Sequence, residues 1–228
     1  MFILRYNLNL ISSFAFMYDL PYYKEADKQV IIEFIHKHPF AFLSGCNEDN
    51  KPVATQLPVF IEERGGVHYL TGHIMRNTDH HKAFAKNPDV LATFTGPSTY
   101  VSATWYSNPM QASTWNYMSV HAKGKLKFLD DAGLIDVLKK LSLHFEKDNK
   151  SSSTFFDNLT EQYKQPLMKA IVAFEVKVER IDHVFKLSQD RDEASYHNII
   201  KKLSEQDGDG KAIAEIMQQR IAKVFPKK

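Results

Sequence analysis

The chain has 228 residues, 43% of them hydrophobic and 25% charged, a composition that is typical of a folded globular protein and excludes a disordered or fibrous one. Its formal net charge of +2, from 29 basic and 27 acidic side chains, excludes a broad electrostatic attraction to nucleic acid, so any contact with DNA must be local. The single cysteine, Cys46, excludes an intramolecular disulfide, and this cysteine content favours a cytoplasmic protein.

The N-terminal segment, residues 1–16, is apolar but is interrupted by Arg5, Asn7 and Asn9. No small-residue cleavage site follows it, which argues against a signal peptide, and no stretch is apolar for long enough to predict a membrane-spanning helix. We interpret residues 1–16 as an N-terminal extension, either disordered or the result of a mis-assigned start. The main domain is predicted at residues 17–192, and a helical C-terminal segment at residues 193–228.

Helical spacing of apolar residues predicts a first helix over residues 27–38, which Pro39 ends. Three antiparallel strands are expected next, because short runs of β-forming residues alternate with turn sequences. The runs are FAFLSGC, PVATQLPVFIEE and VHYLTGH, and the turns between them are EDNKP and ERGG.

The rest of the chain also mixes helices and strands. A short helix capped by Asn77 or Thr78 is predicted up to Lys86, followed by a strand, VLATF, and a long strand over residues 117–129. A further helix, a polar linker at KDNKSSSTFFDN, a strand at AIVAFEVKVERI and two helices separated by DGDG complete the pattern. Strands in hairpins with irregularly placed helices predict a mainly β fold, a six- or seven-stranded antiparallel barrel with peripheral helices.

The run GHIMRNTDHHK, residues 72–82, places Arg76 and Thr78 at a junction between a strand and a helix. Unpaired N–H groups and the dipole at a helix start favour an anion, to which Arg76 and the Thr78 hydroxyl add a charged and a neutral donor. A phosphate would fit there. The alternative, given equal weight, is that Thr78 only caps the helix while Arg76 is a solvated charge. The histidines in and near this run lack the spacing of a metal site, so no metal is predicted.

Residues 96–124 concentrate aromatic side chains and include both tryptophans of the chain, Trp105 and Trp115. Hydroxyl and amide groups are interspersed among the rings, whereas a hydrophobic core would replace these donors with aliphatic groups. Stacking faces beside fixed donors such as Asn116 suit a planar heterocycle. We therefore interpret the segment as one wall of a ligand site.

Several segments together resemble the PaiB family of FMN-binding negative transcriptional regulators, part of the FMN-binding split barrels that include the pyridoxamine-phosphate oxidases. The resemblance covers about residues 17–203 and rests on VATQLPVFI, the GH-x-x-R of GHIMR, FTGPSTYVSATWY, STWNYMSVHAKG and IVAFEVKVERIDHVFKLSQDR. It implies an antiparallel split β-barrel of the FMN-binding type, and a homodimer that binds FMN at the subunit interface.

The resemblance also implies roles for individual residues that match the family's motifs. Arg76 and Thr78 would hold the flavin phosphate, and Thr55 and Leu57 would line the edge of the isoalloxazine ring. The remaining contacts would come from Ser102, Trp105, Asn116 and Tyr117, and from Lys186, Gln189 and Arg191 of the partner subunit.

The chain departs from the family pattern at the proposed phosphate site. Relatives have NPxW after the GH-x-x-R, where this chain has TDHH, residues 78–81, and they have SPxW where it has SATW, residues 102–105. Asp79 adds a negative charge that should weaken an anion site unless its side chain points away to cap the helix. A protonated His80 or His81 would compensate for that charge.

The sequence leaves the function open and identifies no catalytic residue. A PaiB-like transcriptional regulator would bind DNA through a C-terminal helix pair, whose basic surplus is weak, with seven Lys and Arg against four Asp and Glu in residues 199–228. The alternative is an FMN-dependent oxidoreductase that accepts a hydride from NAD(P)H or another small-molecule donor. A flavin or haem-related binder without turnover ranks last. Neither the redox partner nor the DNA target follows from the sequence.

Overall fold

The computed structural model describes residues 20–226, so the predicted N-terminal extension, residues 1–16, lies outside the described residues. The helices of this part are α1 (Lys28–Lys37), α2 (Asp79–Lys86), α3 (Asp131–Phe145), α4 (Glu161–Ala170), α5 (Glu193–Ser204) and α6 (Asp209–Val224). The strands are β1 (Phe40–Cys46), β2 (Pro52–Pro58), β3 (Phe60–Arg64), β4 (Val67–Met75), β5 (Asp89–Val101), β6 (Thr114–Phe128) and β7 (Ile171–Lys186). Within residues 20–226, no helix combines the length and the apolar character that crossing a membrane requires.

The seven strands form one sheet in the order β2-β1-β5-β6-β7-β4-β3. Neighbouring strands in the sheet run antiparallel, as in the β1–β2, β1–β5, β3–β4 and β4–β7 pairs. The predicted fold class, a mainly β antiparallel split barrel with peripheral helices, is confirmed. Six or seven strands were predicted, and the sheet has seven.

The segment PVATQLPVFIEE forms two strands, so the prediction of three strands in this part of the chain is wrong. β2 ends at Pro58 and β3 begins at Phe60, and the intervening Val59 donates its backbone N–H to Pro39 O at 2.8 Å. The chain therefore leaves one ladder and enters another at this point, and β2 pairs with β1 while β3 pairs with β4. A proline, which has no N–H for a ladder, is typical of such a strand end.

The segment predicted as a polar linker, residues 147–158, is packed rather than extended. Its two phenylalanines, Phe155 and Phe156, are buried, and the Lys164 ammonium lies 5.2 Å from the centre of the Phe156 ring. Helix α4, which contains Lys164, was not predicted. Pro166 lies inside α4, and none of its residues is buried, so the periodic apolar signal of a helix is missing.

The described residues divide into two compact units, each assembled from separate stretches of chain. The first unit comprises residues 20–31, 95–120 and 182–226, and the second comprises residues 32–94 and 121–181. Each unit has fully buried apolar side chains of its own. Those of the first unit include Leu187, Tyr196, Ile199 and Leu203. Those of the second unit include Leu43, Leu70, Phe84, Phe94 and Phe174. The boundary at residue 192 stays a prediction.

A buried carboxylate links residue 25 to helix α6 within the first unit. The side chain of Glu25 is 1% exposed, and its Oε2 accepts a hydrogen bond from Arg220 Nη2 at 2.5 Å. Lys223 Nζ donates to Oε1, and the backbone N–H of Asp27 donates to the same oxygen at 3.1 Å. The Glu25 backbone N–H donates to His183 Nε2 at 2.8 Å. Both carboxylate oxygens and the backbone N–H of Glu25 therefore have partners, as a buried charge requires.

Gly124 in β6 lies against the backbone of β7, where a side chain has no room. An added Cβ would lie 2.1 Å from Lys177 O and 2.9 Å from Lys177 C, so the sheet would have to shift. Gly124→Ala is therefore expected to lower the free energy of unfolding by about 2 kcal/mol, as measured by urea denaturation. Gly65→Ala is the control, since a Cβ there meets nothing within 4 Å, and only its left-handed backbone (φ +59°) opposes alanine, by about 1 kcal/mol. If the two variants lost the same free energy of unfolding, a steric clash at Gly124 would not be the cause.

Candidate functional site

A cavity of about 290 Å³ lies in the second unit, beside the start of α2. It is lined by Thr55, Gln56, Leu57, Pro58, His73, Ile74, Met75, Thr78, His80 and Ile171. Residues from β2, β4, β7 and α2 thus share one space, and three residues predicted from the sequence, Thr55, Leu57 and Thr78, are brought together there.

Arg76, the fourth predicted residue of this unit, does not line the cavity but is bonded to a residue that does. Its Nε donates to Ile171 O at 2.8 Å, and its backbone N–H donates to Ala170 O at 2.8 Å. Ile171 lines the cavity and belongs to a buried cluster with Leu134 and Val137. Among residues 20–226, the two terminal nitrogens of the Arg76 guanidinium have no hydrogen-bond partner. The side chain is therefore anchored through Nε and keeps donors for an anion.

The turn before α2 is shaped by Asn77 and Thr78. Asn77 has a φ of +65°, a left-handed conformation that asparagine tolerates, and Thr78 follows as the N-cap. Thr78 Oγ1 accepts from the His81 backbone N–H at 3.3 Å and donates to Met75 O at 3.1 Å. Of the two caps predicted from the sequence, the structure shows Thr78.

Thr78→Ala is expected to lower the free energy of unfolding of the ligand-free protein by about 1 kcal/mol, because the His81 N–H loses its acceptor. Thr78→Ser keeps the hydroxyl and is expected to stay within about 0.5 kcal/mol of the wild type. Urea denaturation followed by circular dichroism measures both. Equal destabilisation by the two variants would show that the lost methyl group matters instead of the cap.

Asp79 and His80 interact with each other and with the cap. Asp79 Oδ1 accepts from the His80 backbone N–H at 2.8 Å and lies 3.1 Å from His80 Nδ1, while His80 Nε2 lies 3.0 Å from Thr78 Oγ1. The hydrogen bonds from the backbone and then the side chain of His80 lower the pKa of the exposed Asp79 carboxyl, which is therefore ionised at neutral pH. The carboxylate that was expected to oppose an anion is paired with a histidine.

His73 has a buried nitrogen that faces no partner. Its Nδ1 is buried and makes no hydrogen bond to any described residue, and burial lowers the pKa of the ring, which favours the neutral imidazole. Because His73 lines the cavity, a bound group could satisfy this nitrogen. No ligand contact was predicted for His73, although its place in GH-x-x-R, three residues before Arg76, was the signal that could have identified it.

The described residues 20–226 contain no group of three or more His, Cys, Asp or Glu side chains that could hold a metal ion. The histidines around the cavity instead take part in hydrogen bonds and ring contacts. His81, for example, accepts from the Asn77 backbone N–H through Nδ1 at 3.2 Å and packs 4.9 Å from the Phe128 ring centre.

In the first unit, Asn116 is fully buried and uses both ends of its side chain. Its Oδ1 accepts from Ser188 Oγ at 2.9 Å, and its Nδ2 contacts Met217 Sδ at 3.4 Å. These contacts join β6, the segment after β7, and α6. The side chain predicted to contact a ligand thus has a structural role inside the unit.

Lys186, Gln189 and Arg191, predicted to serve a partner subunit, make contacts within their own chain. Lys186 is 8% exposed, and its Nζ donates to Trp115 O at 2.8 Å and to Thr114 Oγ1, while burial lowers its pKa. Gln189 Oε1 accepts from the Leu187 N–H, and its Nε2 donates to Phe185 O, each at 2.6 Å. Arg191 donates to Gln111 Oε1 and lies 4.7 Å from the Tyr106 ring centre.

The aromatic segment presents part of its surface outward. Ser102 caps a short 3-10 helix, Ala103–Trp105, and the half-buried Trp105 accepts from Asn198 Nδ2 through its carbonyl at 2.7 Å. Tyr117 is also half-buried. Trp115 is 56% exposed and meets the exposed Tyr100 edge to face, with 6.3 Å between the ring centres. Ser102, Trp105, Asn116 and Tyr117 all belong to the first unit.

A sequence model of the family described as "Putative FMN-binding domain" matches residues 17–180, well over half of the chain. The chain belongs to this FMN-binding domain family. The "Protease synthase and sporulation protein PAI 2" of Bacillus subtilis (strain 168) is 33% identical to it over 208 residues, which cover 91% of this chain and 99% of that protein. The resemblance to the PaiB family is thereby confirmed.

Two solved structures share the fold of this member of the FMN-binding domain family. The FAD and heme binding protein from Mycobacterium smegmatis superposes with a TM-score of 0.54 at 16% identity, over 71% of this chain and 72% of that one. A "putative 5-nitroimidazole antibiotic resistance protein" from Bacteroides thetaiotaomicron gives a TM-score of 0.51 at 18% identity, over 70% and 84%. At these identities the likeness shows the fold alone.

Proposed function

We propose that this protein binds FMN, with the flavin phosphate at the Arg76–Thr78 end of the cavity in the second unit. One observation carries the proposal. Thr55, Leu57 and Thr78, assigned to a flavin site by family resemblance, line a single cavity, and Arg76 is anchored to Ile171, which lines the same cavity.

The residues around the cavity fit the two ends of FMN. The terminal nitrogens of Arg76 can donate to a phosphate, and the unpartnered Nδ1 of His73 can bond a polar atom of a bound molecule. Leu57, Ile74 and Ile171 offer an apolar wall for a flat ring system. When bound, FMN would supply redox chemistry, and the protein would bind and orient it.

The protein is further proposed to be a homodimer in the cytoplasm. The cavity of about 290 Å³ lies at the lower limit of the roughly 300–1,000 Å³ typical of small-molecule sites, which is consistent with a cofactor site that a second copy completes. Phe40 and Phe42 on β1 are 59% and 46% exposed, which gives the same unit an apolar surface. Light scattering of the purified protein, with and without FMN, tests the dimer.

The first experiment is a titration of flavin-free protein with FMN and with riboflavin, followed by absorbance at fixed salt. We expect a spectrum shifted from that of free FMN, and tighter binding of FMN than of riboflavin, because riboflavin lacks the phosphate. No binding at saturating FMN would overturn the proposal. Bleaching of the bound flavin by NADH or NADPH would instead identify an oxidoreductase.

We propose a regulatory role on the basis of the PAI 2 relative, whose name connects it with protease synthesis and sporulation. DNA binding by the C-terminal helices is the part of this role with least structural support, because Arg220 and Lys223 of α6 are engaged by Glu25. A sequence-specific DNA complex that persists at moderate salt would support the role. Binding that is non-specific and disappears with salt would count against it.

A further inference from the structure

We propose that the main chain of Gln56, on the free edge of β2, recognises the flavin ring through its backbone N–H and C=O. The inference rests on the proposed binding of FMN in the cavity of the second unit. The sequence predicted ligand contacts for the two neighbours of Gln56, Thr55 and Leu57, but none for Gln56 itself.

The hydrogen bonds at the two ends of the β1–β2 ladder fix the direction of the backbone groups in β2. At one end the Val59 N–H donates to Pro39 O at 2.8 Å, and at the other the Asn47 N–H donates to Lys51 O at 2.9 Å. The register is unbroken between these two pairs. In an antiparallel ladder, pairs that exchange hydrogen bonds alternate with pairs that exchange none. Both end pairs are odd-numbered, so the even-numbered residues of β2 direct their N–H and C=O away from β1.

The even-numbered residues of β2 face a free edge of the sheet. β2 is the first strand in the order of the sheet, and β1 is its one neighbour in the part of the chain that the structure describes. Two of these residues, Pro52 and Pro58, have no N–H, as is usual on an edge strand. The other two, Ala54 and Gln56, each keep an N–H that has no hydrogen-bond partner among residues 20–226.

The free edge of β2 faces β4 across the cavity. Pro58 O lies 3.2 Å from the position that a Cβ on Gly72 of β4 would take, so this carbonyl points towards β4, as the alternation requires. Gln56 lines the cavity together with His73 and Ile74 of β4. The N–H and C=O of Gln56 point the same way as Pro58 O and therefore towards this space. A backbone donor and a backbone acceptor are thus available side by side to a bound molecule.

The flavin ring has an edge that matches this pair of groups. Its pyrimidine part carries one N–H between two carbonyl groups, so it offers a donor next to an acceptor. The Gln56 C=O can accept from the ring N–H while the Gln56 N–H donates to a ring carbonyl. Backbone groups in a strand have a fixed direction, so they orient the ring as well as bind it.

Proline substitution tests the contact, because it removes a backbone N–H. Gln56→Pro loses the N–H on the free edge, and the ladder to β1 stays intact. We expect a urea midpoint close to that of the wild type and about three- to tenfold weaker binding of both FMN and riboflavin, as for one lost hydrogen bond. Ala54→Pro is the matched control, since it makes the same change on the same edge outside the cavity lining, and it should bind both flavins like the wild type.

Gln56→Ala separates the main chain from the side chain. This variant keeps the backbone N–H and should bind FMN and riboflavin as the wild type does. If Gln56→Ala weakened binding as much as Gln56→Pro, the side chain would make the contact and the inference would be wrong. Unchanged flavin binding by Gln56→Pro would also overturn it.

Amide hydrogen exchange of the wild-type protein, followed by NMR, tests the same contact without a substitution. In the flavin-free protein the N–H groups of Ala54 and Gln56 should exchange fast, and those of Thr55 and Leu57, which bond to β1, slowly. FMN or riboflavin should slow exchange at Gln56 and leave Ala54 unchanged, whereas inorganic phosphate should slow neither. Slow exchange at both Ala54 and Gln56 before flavin is added would show that another strand covers this edge, and would overturn the inference.

The proposed function and the role of Gln56 fail in different ways. Wild-type protein that binds neither FMN nor riboflavin refutes the proposed function, and the role of Gln56 with it. Flavin binding that leaves exchange at the Gln56 N–H unchanged refutes only the role of Gln56.

Discussion

Glu25→Gln is expected to lower the free energy of unfolding of the FMN-free protein by about 3 kcal/mol, because it leaves Arg220 and Lys223 without the carboxylate that pairs them. Removing one partner of a buried ion pair is more destabilising than removing an exposed one, and the Glu25 side chain is 1% exposed. The estimate takes the low end of the usual range, because Lys223 is partly solvated.

Urea denaturation measures this loss, and Glu48→Gln is the matched control. Glu48 makes an exposed ion pair with Lys86 at 4.0 Å, so the same chemical change there should alter stability by less than about 0.5 kcal/mol. If Glu25→Gln behaved like Glu48→Gln, the network around residue 25 would not stabilise the protein.

The stabilisation by Glu25 should also depend on pH. Burial alone raises the pKa of this carboxyl, but hydrogen bonds from Lys223, the Asp27 backbone and Arg220 outweigh it and lower the pKa to about 2, from an ordinary value of 4.5. Since the folded protein holds the proton less tightly than the unfolded chain, the contribution is complete above pH 4.5 and is lost as the pH falls towards 2. The stability difference between wild type and Glu25→Gln should therefore shrink over this interval.

Arg76→Ala is expected to weaken FMN binding by about 10- to 100-fold, because hydrogen bonds to a charged group contribute about 1.5–3 kcal/mol each. Riboflavin binding should change little, since riboflavin has no phosphate for the guanidinium to contact. Absorbance titration of both ligands against the same protein preparation measures the two effects.

Arg64→Ala controls for the loss of an arginine from the second unit. Arg64 on β3 lies 3.0 Å from Glu175 and 4.0 Å from the Tyr69 ring centre, and it does not line the cavity. Its replacement should leave FMN affinity unchanged. An Arg76→Ala protein that loses FMN and riboflavin equally would indicate a distorted cavity and contradict a phosphate contact.

Much of the fold was predictable because its signals are local. A run of β-forming residues located β1, helical spacing located α1, and the pair Asn77–Thr78 located the start of α2 without deciding between the two as the cap. The break at Val59 was missed because PVATQLPVFIEE is uniformly rich in β-forming residues, and it depends on a hydrogen bond to Pro39, 20 residues away. Helix α4 was missed because nothing in it is buried and a proline lies inside it.

The site was predictable only in part, and for a related reason. Family motifs pointed to Thr55, Leu57 and Thr78, which line one cavity, and to Arg76, which is bonded to Ile171 of the same cavity. No motif describes the pairing of Asp79 with His80 or the missing partner of His73 Nδ1, because both depend on side-chain geometry. Glu25 lies in an ordinary polar segment, and its partners are far along the chain, so its burial had no sequence signal.

The ion pair between Glu25 and Arg220 joins residues that are 195 positions apart. Closing so long a loop is entropically unfavourable until the intervening chain is ordered, so we expect this contact to form late in folding. A contact absent from the folding transition state changes the rate of unfolding and leaves the rate of folding nearly unaltered. Glu25 is therefore expected to slow unfolding, so that its replacement shortens the lifetime of the native state without slowing folding.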